Sequence, residues 1–235
     1  MTVYQRFLTL LLLATNPALA EEQPHSGTTQ FMAIADQLEF RDSEGRGGAW
    51  DVSAWLGRDI HKLAIASEGE REGPATESAE TRLALQRAVT PFWDLQLGWR
   101  RDWQPDERNR DWGMLALTGT APYFVETTVQ LFAGGDGRSA LRLEMEKEIL
   151  FTQRLHLVPD VEATLYGQDD PAQGVGHGLS SIEAGLRLRY EIIRQVAPYV
   201  GVNWEKAYSR TADYARRDGE AVEKPQFVAG VRLWY

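Results

Sequence analysis

Apolar and polar side chains alternate with a period of two over most of the chain. At the C-terminus Phe227, Ala229, Val231, Leu233 and Tyr235 stand at odd positions, with Gly230 and Arg232 between them. Side chains of a strand point alternately to its two faces, so this segment is a strand with one apolar face. The same rhythm sets Leu141, Leu143, Met145 and Ile149 against Arg142, Glu144, Glu146 and Glu148, and Ile182, Ala184, Leu186 and Leu188 against Glu183, Arg187 and Arg189. Leu, Glu and Ala are good helix formers, but the 3.6-residue spacing of a helix face is missing, and the period decides for strands. Twelve strands are predicted, over 31–42, 49–58, 61–71, 79–89, 92–102, 112–121, 123–134, 138–149, 153–166, 179–192, 195–208 and 225–235.

The connections alternate in length. Thr90-Pro91 and Ala121-Pro122 are tight turns, whereas 43–48, 72–78, 104–111, 167–178 and 209–224 are longer and polar. Aromatic residues gather near strand ends (Trp50, Trp93, Trp99, Tyr123, Tyr190, Trp204, Trp234, Tyr235), as in interfacial girdles. An even strand count, short turns at one rim and longer loops at the other predict an all-β fold, a twelve-stranded antiparallel transmembrane β-barrel of the bacterial outer membrane with both termini in the periplasm. A soluble β-sandwich or lipocalin-like barrel is the competing fold, but its polar face would not carry so dense a set of Arg and Glu.

Composition narrows the chemistry. The 235 residues include 25 Lys+Arg, 34 Asp+Glu, 4 His, 4 Met and no Cys, for a net charge of −9. Disulfides, thiolate catalysis and Cys-ligated metals are excluded, and so acidic a chain lacks the footprint of a nucleic-acid binder. A mean hydropathy of −0.39 is compatible with a barrel, where only alternate residues meet lipid. Residues 1–20 read as a signal peptide: Arg6 precedes an apolar stretch from Phe7 to Ala14, and Ala18-Leu19-Ala20 precedes Glu21-Glu22. Its removal takes away Arg6 and no acid, which leaves a net charge of −10. A short periplasmic tail, 21–30, then leads to the barrel domain, 31–235.

If the apolar set faces lipid, the charged set lines the interior. Matching like faces across the turn near Leu150 to Thr152 puts Glu148 opposite His156, Glu144 opposite Asp160 and Arg142 opposite Glu162. Strands 61–71 and 79–89 similarly bring Glu68 beside Arg82 and Glu70 beside Glu80. Directly opposed like charges repel, so Glu144 and Asp160 need Arg187 or Arg189, a raised pKa or a bound cation. The lumen is therefore either a salt-bridge plug or a cation site. Candidate metal ligands are His156, Glu148, Glu144, Asp160, Met114 on the lumen parity, and His25 in the tail; Met32 and Met145 fall on the lipid-facing parity. No HExxH, Gly-rich phosphate loop or Ser-His-acid spacing is present. A lipid hydrolase would need a Ser and a His together on the lipid face, and His61 and Ser67 lie six residues apart, roughly 20 Å along a strand. A passive pore is the third reading.

Several segments resemble one family. The runs Phe92-Trp93-Asp94-Leu95-Gln96, Gly167-Gln168-Asp169-Asp170-Pro171, Gly185-Leu186-Arg187-Leu188-Arg189-Tyr190-Glu191-Ile192 and Ala197-Pro198-Tyr199-Val200-Gly201-Val202-Asn203-Trp204-Glu205 are similar to the copper resistance protein B family, over essentially residues 31–235. The resemblance implies a non-enzymatic outer-membrane component of copper homeostasis that binds copper ion beside a periplasmic multicopper oxidase and copper carriers. Members typically carry a Met/His-rich region before the barrel; here Glu21 to Gln30 holds a single His, His25, and no Met. With so little Met, the lumen chemistry favours Cu(II), which prefers imidazole and carboxylate, or a weak and less selective divalent site, over the thioether-seeking Cu(I).

Overall fold

The computed structural model describes residues 28–42, 47–72, 75–103 and 109–235. The signal peptide and His25 lie outside them. In chain order the strands are β1 (Gln30–Arg41), β2 (Gly47–Gly57), β3 (His61–Glu72), β4 (Ala75–Thr90), β5 (Trp93–Trp103), β6 (Arg110–Ala121), β7 (Val125–Gly134), β8 (Ser139–Lys147), β9 (Ile149–Leu150), β10 (Leu155–Tyr166), β11 (Gly178–Tyr190), β12 (Val196–Ala207) and β13 (Glu223–Trp234). Each pairs antiparallel with its neighbour, and β13 returns to pair with β1, which closes the sheet. β9 continues β8 after a break at Glu148, and both pair with β10. The described residues thus form twelve staves, as the alternation predicts.

Closure removes every unpaired sheet edge, which a lipid environment requires because no water is there to satisfy backbone polar groups. The outward face is apolar: Leu85 is 66% exposed, Leu97 65%, Val200 58% and Phe227 71%. The short-turn rim adds an apolar crown from Ile60, Phe92, Tyr123, Phe124, Phe151 and Ile192. In the three-residue turn between Ala121 and Val125, Tyr123 and Phe124 both take positive φ (66° and 59°), the left-handed region that non-glycine residues seldom occupy.

Two features depart from the simple alternation. A bulge in β1 at Asp36 shifts its register against β2, so Phe31 and Phe40, of opposite parity, are both exposed. Met32 therefore shares the face of Ile34, which lines the lumen, and not the lipid-facing parity expected for it. Within the predicted loop 209–224 lies a helix, α1 (Ser209–Asp218), closed by Gly219 at φ 80°, where glycine carries no Cβ penalty.

Candidate functional site

Inward-facing side chains enclose a cavity of about 980 Å³, lined from Asp36 and Glu148 near the short turns to Tyr166, Val175 and Thr211 near the long loops. Its charges follow the strand registers. Asp51, Glu68, Glu80 and Asp102 stand opposite one another on β2, β3, β4 and β5, and Arg110 on β6 ends the row. Glu144, Glu162, Glu183 and Glu205 form a second row on β8, β10, β11 and β12, which ends at Lys224 on β13. Each row is a carboxylate ladder across four adjacent staves. Neighbouring strands lie about 4.8 Å apart, and directly opposed like charges are destabilising. Four arginines contact these carboxylates and offset that repulsion, and a fifth holds neighbouring acids.

Arg142 reaches both ladders: its guanidinium is 2.5 Å from Glu68, 3.0 Å from Glu80, 3.3 Å from Glu162 and 3.9 Å from Glu144. Arg82 lies 2.7 Å from Glu68, 3.3 Å from Glu80 and 3.7 Å from Glu144. Arg100 holds Glu80 and Asp102 at 2.7 and 2.6 Å and stacks 4.6 Å over the Phe132 ring, an arrangement that favours a guanidinium. Arg41 joins Glu39, Glu70 and Glu183, and Arg187 joins Glu39 and Asp160. Buried pairs of this kind hold only where geometry and extra hydrogen bonds repay desolvation; Arg142 meets Glu80 through both terminal nitrogens, at 3.3 and 3.0 Å. Two amides complete the ladder surroundings. Gln130 donates to Glu144 at 3.1 Å and Asn203 to Glu183 at 2.8 Å.

Registers correct several expected pairings. Asp160 stands opposite Glu146, Glu162 opposite Glu144, and His156 opposite Leu150; Glu68 stands opposite Glu80, and Glu70 opposite Ser78. Each hairpin is displaced by two residues from the expected register. That keeps every side chain on its face and changes only its partner. The Glu68–Arg82 ion pair survives diagonally, and so does the contact between His156 Nδ1 and Glu148.

The expected ligands among the described residues face the lumen, but they do not converge. His156 is buried beside Glu148. Asp160 is held by Arg187, one of the two arginines expected for it, while Glu144 is held by Gln130 and Arg82. Met114 packs with Ala84, Trp112, Phe132 and Ala140 in an apolar cluster. Among the described residues, no three His, Asp or Glu side chains come close enough to hold a metal ion between them. Of the ladder carboxylates the sequence offered only Glu144 as a ligand; Asp51, Asp102, Glu183 and Glu205, with Arg100 and the stacked pair of Trp55 and Lys62 (4.7 Å), were not singled out. Parity places each of them inward; only the register assembles them.

Over the long-loop rim, α1 is tied to the 167–178 loop. Thr211 accepts from the Gly176 amide and bonds Ser180, each at 2.9 Å, Arg210 pairs with Asp169, and Arg110 with Asp170. The His177 amide donates to Asp169 at 2.8 Å. That bond, and then Arg210, hold the Asp169 carboxyl below its ordinary range. A second cavity of about 400 Å³ lies under α1 and shares Gln173, Val175, Glu205 and Thr211 with the lumen.

The family described as "Copper resistance protein B precursor (CopB)" matches residues 29–235. Copper resistance protein B of Escherichia coli is 41% identical over 212 residues, covering 90% of this chain and 71% of that protein. A copper resistance protein B homolog of Pseudomonas syringae pv. tomato is 43% identical over 214 residues, 91% of this chain and 72% of that protein. Among solved structures, the NanC porin superposes with a TM-score of 0.57 at 9% identity, over 87% of this chain and 99% of that one. That likeness concerns the fold.

Proposed function

The chain belongs to the copper resistance protein B family, and from that premise we propose that its barrel takes up Cu(II) in the acidic lumen and holds or passes it at the outer membrane. Family membership implies a role in copper resistance. The observation that carries the finer reading is the pair of carboxylate ladders facing one continuous cavity. Carboxylate oxygens lower the cost of holding a cation in a narrow, poorly hydrated bore. Cu(II) accepts such oxygens together with imidazole, which His156 supplies near the short-turn end.

In this reading the short turns and both termini face the periplasm, residues 1–20 direct export, and periplasmic copper carriers and a multicopper oxidase act beside the barrel. The protein works without catalysis. His61 stands opposite Arg87, and the Ser67 hydroxyl accepts from Trp50 Nε1 at 3.4 Å, a poor arrangement for a nucleophile and base.

Copper titration of the purified barrel tests the reading, with wild type compared with Glu144→Gln and His156→Ala. Weaker Cu(II) binding in both variants is expected. Unchanged stoichiometry and affinity in both would remove these residues from the account.

A further inference from the structure

The rows of facing residues that carry the two ladders run on towards both rims. Strands in outer-membrane barrels tilt by about 35–45°, so a row at right angles to them climbs the lumen as it goes round. The first begins beside the Arg232–Asp36 pair (2.7 Å) near the short turns, where Gln37 stands opposite Asp51, and ends at Arg110, which pairs with Asp170 on the long-loop side. The second begins at Asp94 on the short-turn rim, passes Thr118 and Thr128 to Glu144, and ends at Lys224. A plug built only for stability would alternate sign along such a row, because opposite charges in facing positions stabilise a sheet and like charges weaken it. Here four carboxylates follow one another, twice.

We infer that the two ladders are a pair of cation lanes closed at mid-lumen by Arg82 and Arg142, and that they take oxygen-seeking hydrated divalent cations as a class. The inference rests on the reading that this lumen handles copper ions, and gives it a route. Two buried amides beside the acids supply a second observation. Gln130 is 3% exposed and Asn203 1%; each gives its N–H to a ladder carboxylate, which turns its oxygen away, and those two oxygens have no hydrogen-bond partner. An acceptor held beside a carboxylate is satisfied by a cation or a donor, and Gln130 lines the cavity. At the ends of the carboxylate runs, Asp51 and Glu205 face the cavity, and among the described residues neither makes an ion pair within 4.0 Å.

The closure follows from position. Arg142 touches two carboxylates of each ladder where the lanes approach, and Arg82 touches three of the same four. Both are tethered cations in the place a mobile one would take. The donors along the lanes are carboxylate and amide oxygens, the set that suits Mg²⁺, Ca²⁺, Mn²⁺ and hydrated Cu(II). Many separated oxygens favour entry and release over tight capture.

The full chain reconstituted in planar bilayers tests this by reversal potential across a KCl gradient, and by Mn²⁺ influx into vesicles. Wild type is expected to conduct weakly with cation preference. The double variant Asp51→Asn/Glu205→Gln, which removes no ion pair, should lower the cation-to-anion permeability ratio severalfold and slow Mn²⁺ influx; Asp136→Asn, on a loop tip, should change neither. Arg142→Gln should raise conductance severalfold and stay cation-preferring. An unchanged permeability ratio in the double variant overturns the lanes, and an Arg142→Gln pore without cation preference overturns the closure. If Arg142→Gln does not fold, judged by its heat-dependent gel migration, Arg82→Gln carries the closure test under the same criterion. The KCl arm contains no copper, so a failed copper titration would sink the proposed cargo and leave the lanes standing.

Discussion

Tyr199 lies across Gly230, its directly paired residue on β13. A Cβ at Gly230 would sit 2.6 Å from the ring's Cζ and hydroxyl and 2.7 Å from the Leu38 carbonyl oxygen. Neither neighbour has room to move, because Tyr199 is 4% exposed and Leu38 is fixed in the sheet. Gly230→Ala should therefore destabilise the barrel by about 1–3 kcal/mol, the usual range for overpacking, and the urea midpoint in detergent reads it. From the sequence, Gly230 appears only as a small residue on the polar parity; the aromatic ring that needs its missing side chain comes from another strand. The inward direction of His156, Glu144 and Asp160 was legible for the opposite reason. Parity is local, and it needs no knowledge of the partner.

Registers belong to the hairpins, and alternation does not determine them. A slip of two residues preserves both faces, so no apolar pattern distinguishes Glu162 opposite Arg142 from Glu162 opposite Glu144. The turn decides: the Thr152 hydroxyl accepts the Arg154 and Leu155 amides, a local arrangement typical of Thr in turns, which adds length before β10 begins. The β1 bulge and α1 escaped for related reasons, since a bulge reverses parity within one strand and a ten-residue helix in a polar loop has no apolar stripe facing a large core. At the same scale, the tie between α1 and the 167–178 loop depends on pH. Folding depresses the Asp169 pKa, so its contribution is present above the unfolded carboxyl value and is lost as pH falls through the folded one. The His177 amide resonance should titrate below the ordinary Asp range of about 3.9 and should show no such step in Asp169→Asn. A step at or above that range would mean that Asp169 does not hold the loop.

For the whole molecule, one assignment of faces supports both the membrane and the lumen, and depth discriminates it from any soluble alternative. Leu97 is 65% exposed at the middle of β5, between Leu85 of β4 and Leu115 of β6, whereas Leu150 is 62% exposed beside the short turns. On the surface of a soluble barrel, an arginine at either place would be nearly neutral, since its charge stays in water. On a lipid-facing wall the cost depends on depth: about 2–4 kcal/mol at the midplane and about 0–1 kcal/mol near the interface. Leu97→Arg should therefore lower the unfolding free energy in phospholipid vesicles by several times the effect of Leu150→Arg, with the gap shrinking in short-chain detergent where no fixed midplane exists. Equal small effects at both positions would turn the apolar face toward water and leave the carboxylate ladders without a sealed wall. A larger effect at Leu150 would place the bilayer centre at the turns, outside the strands that carry the lumen.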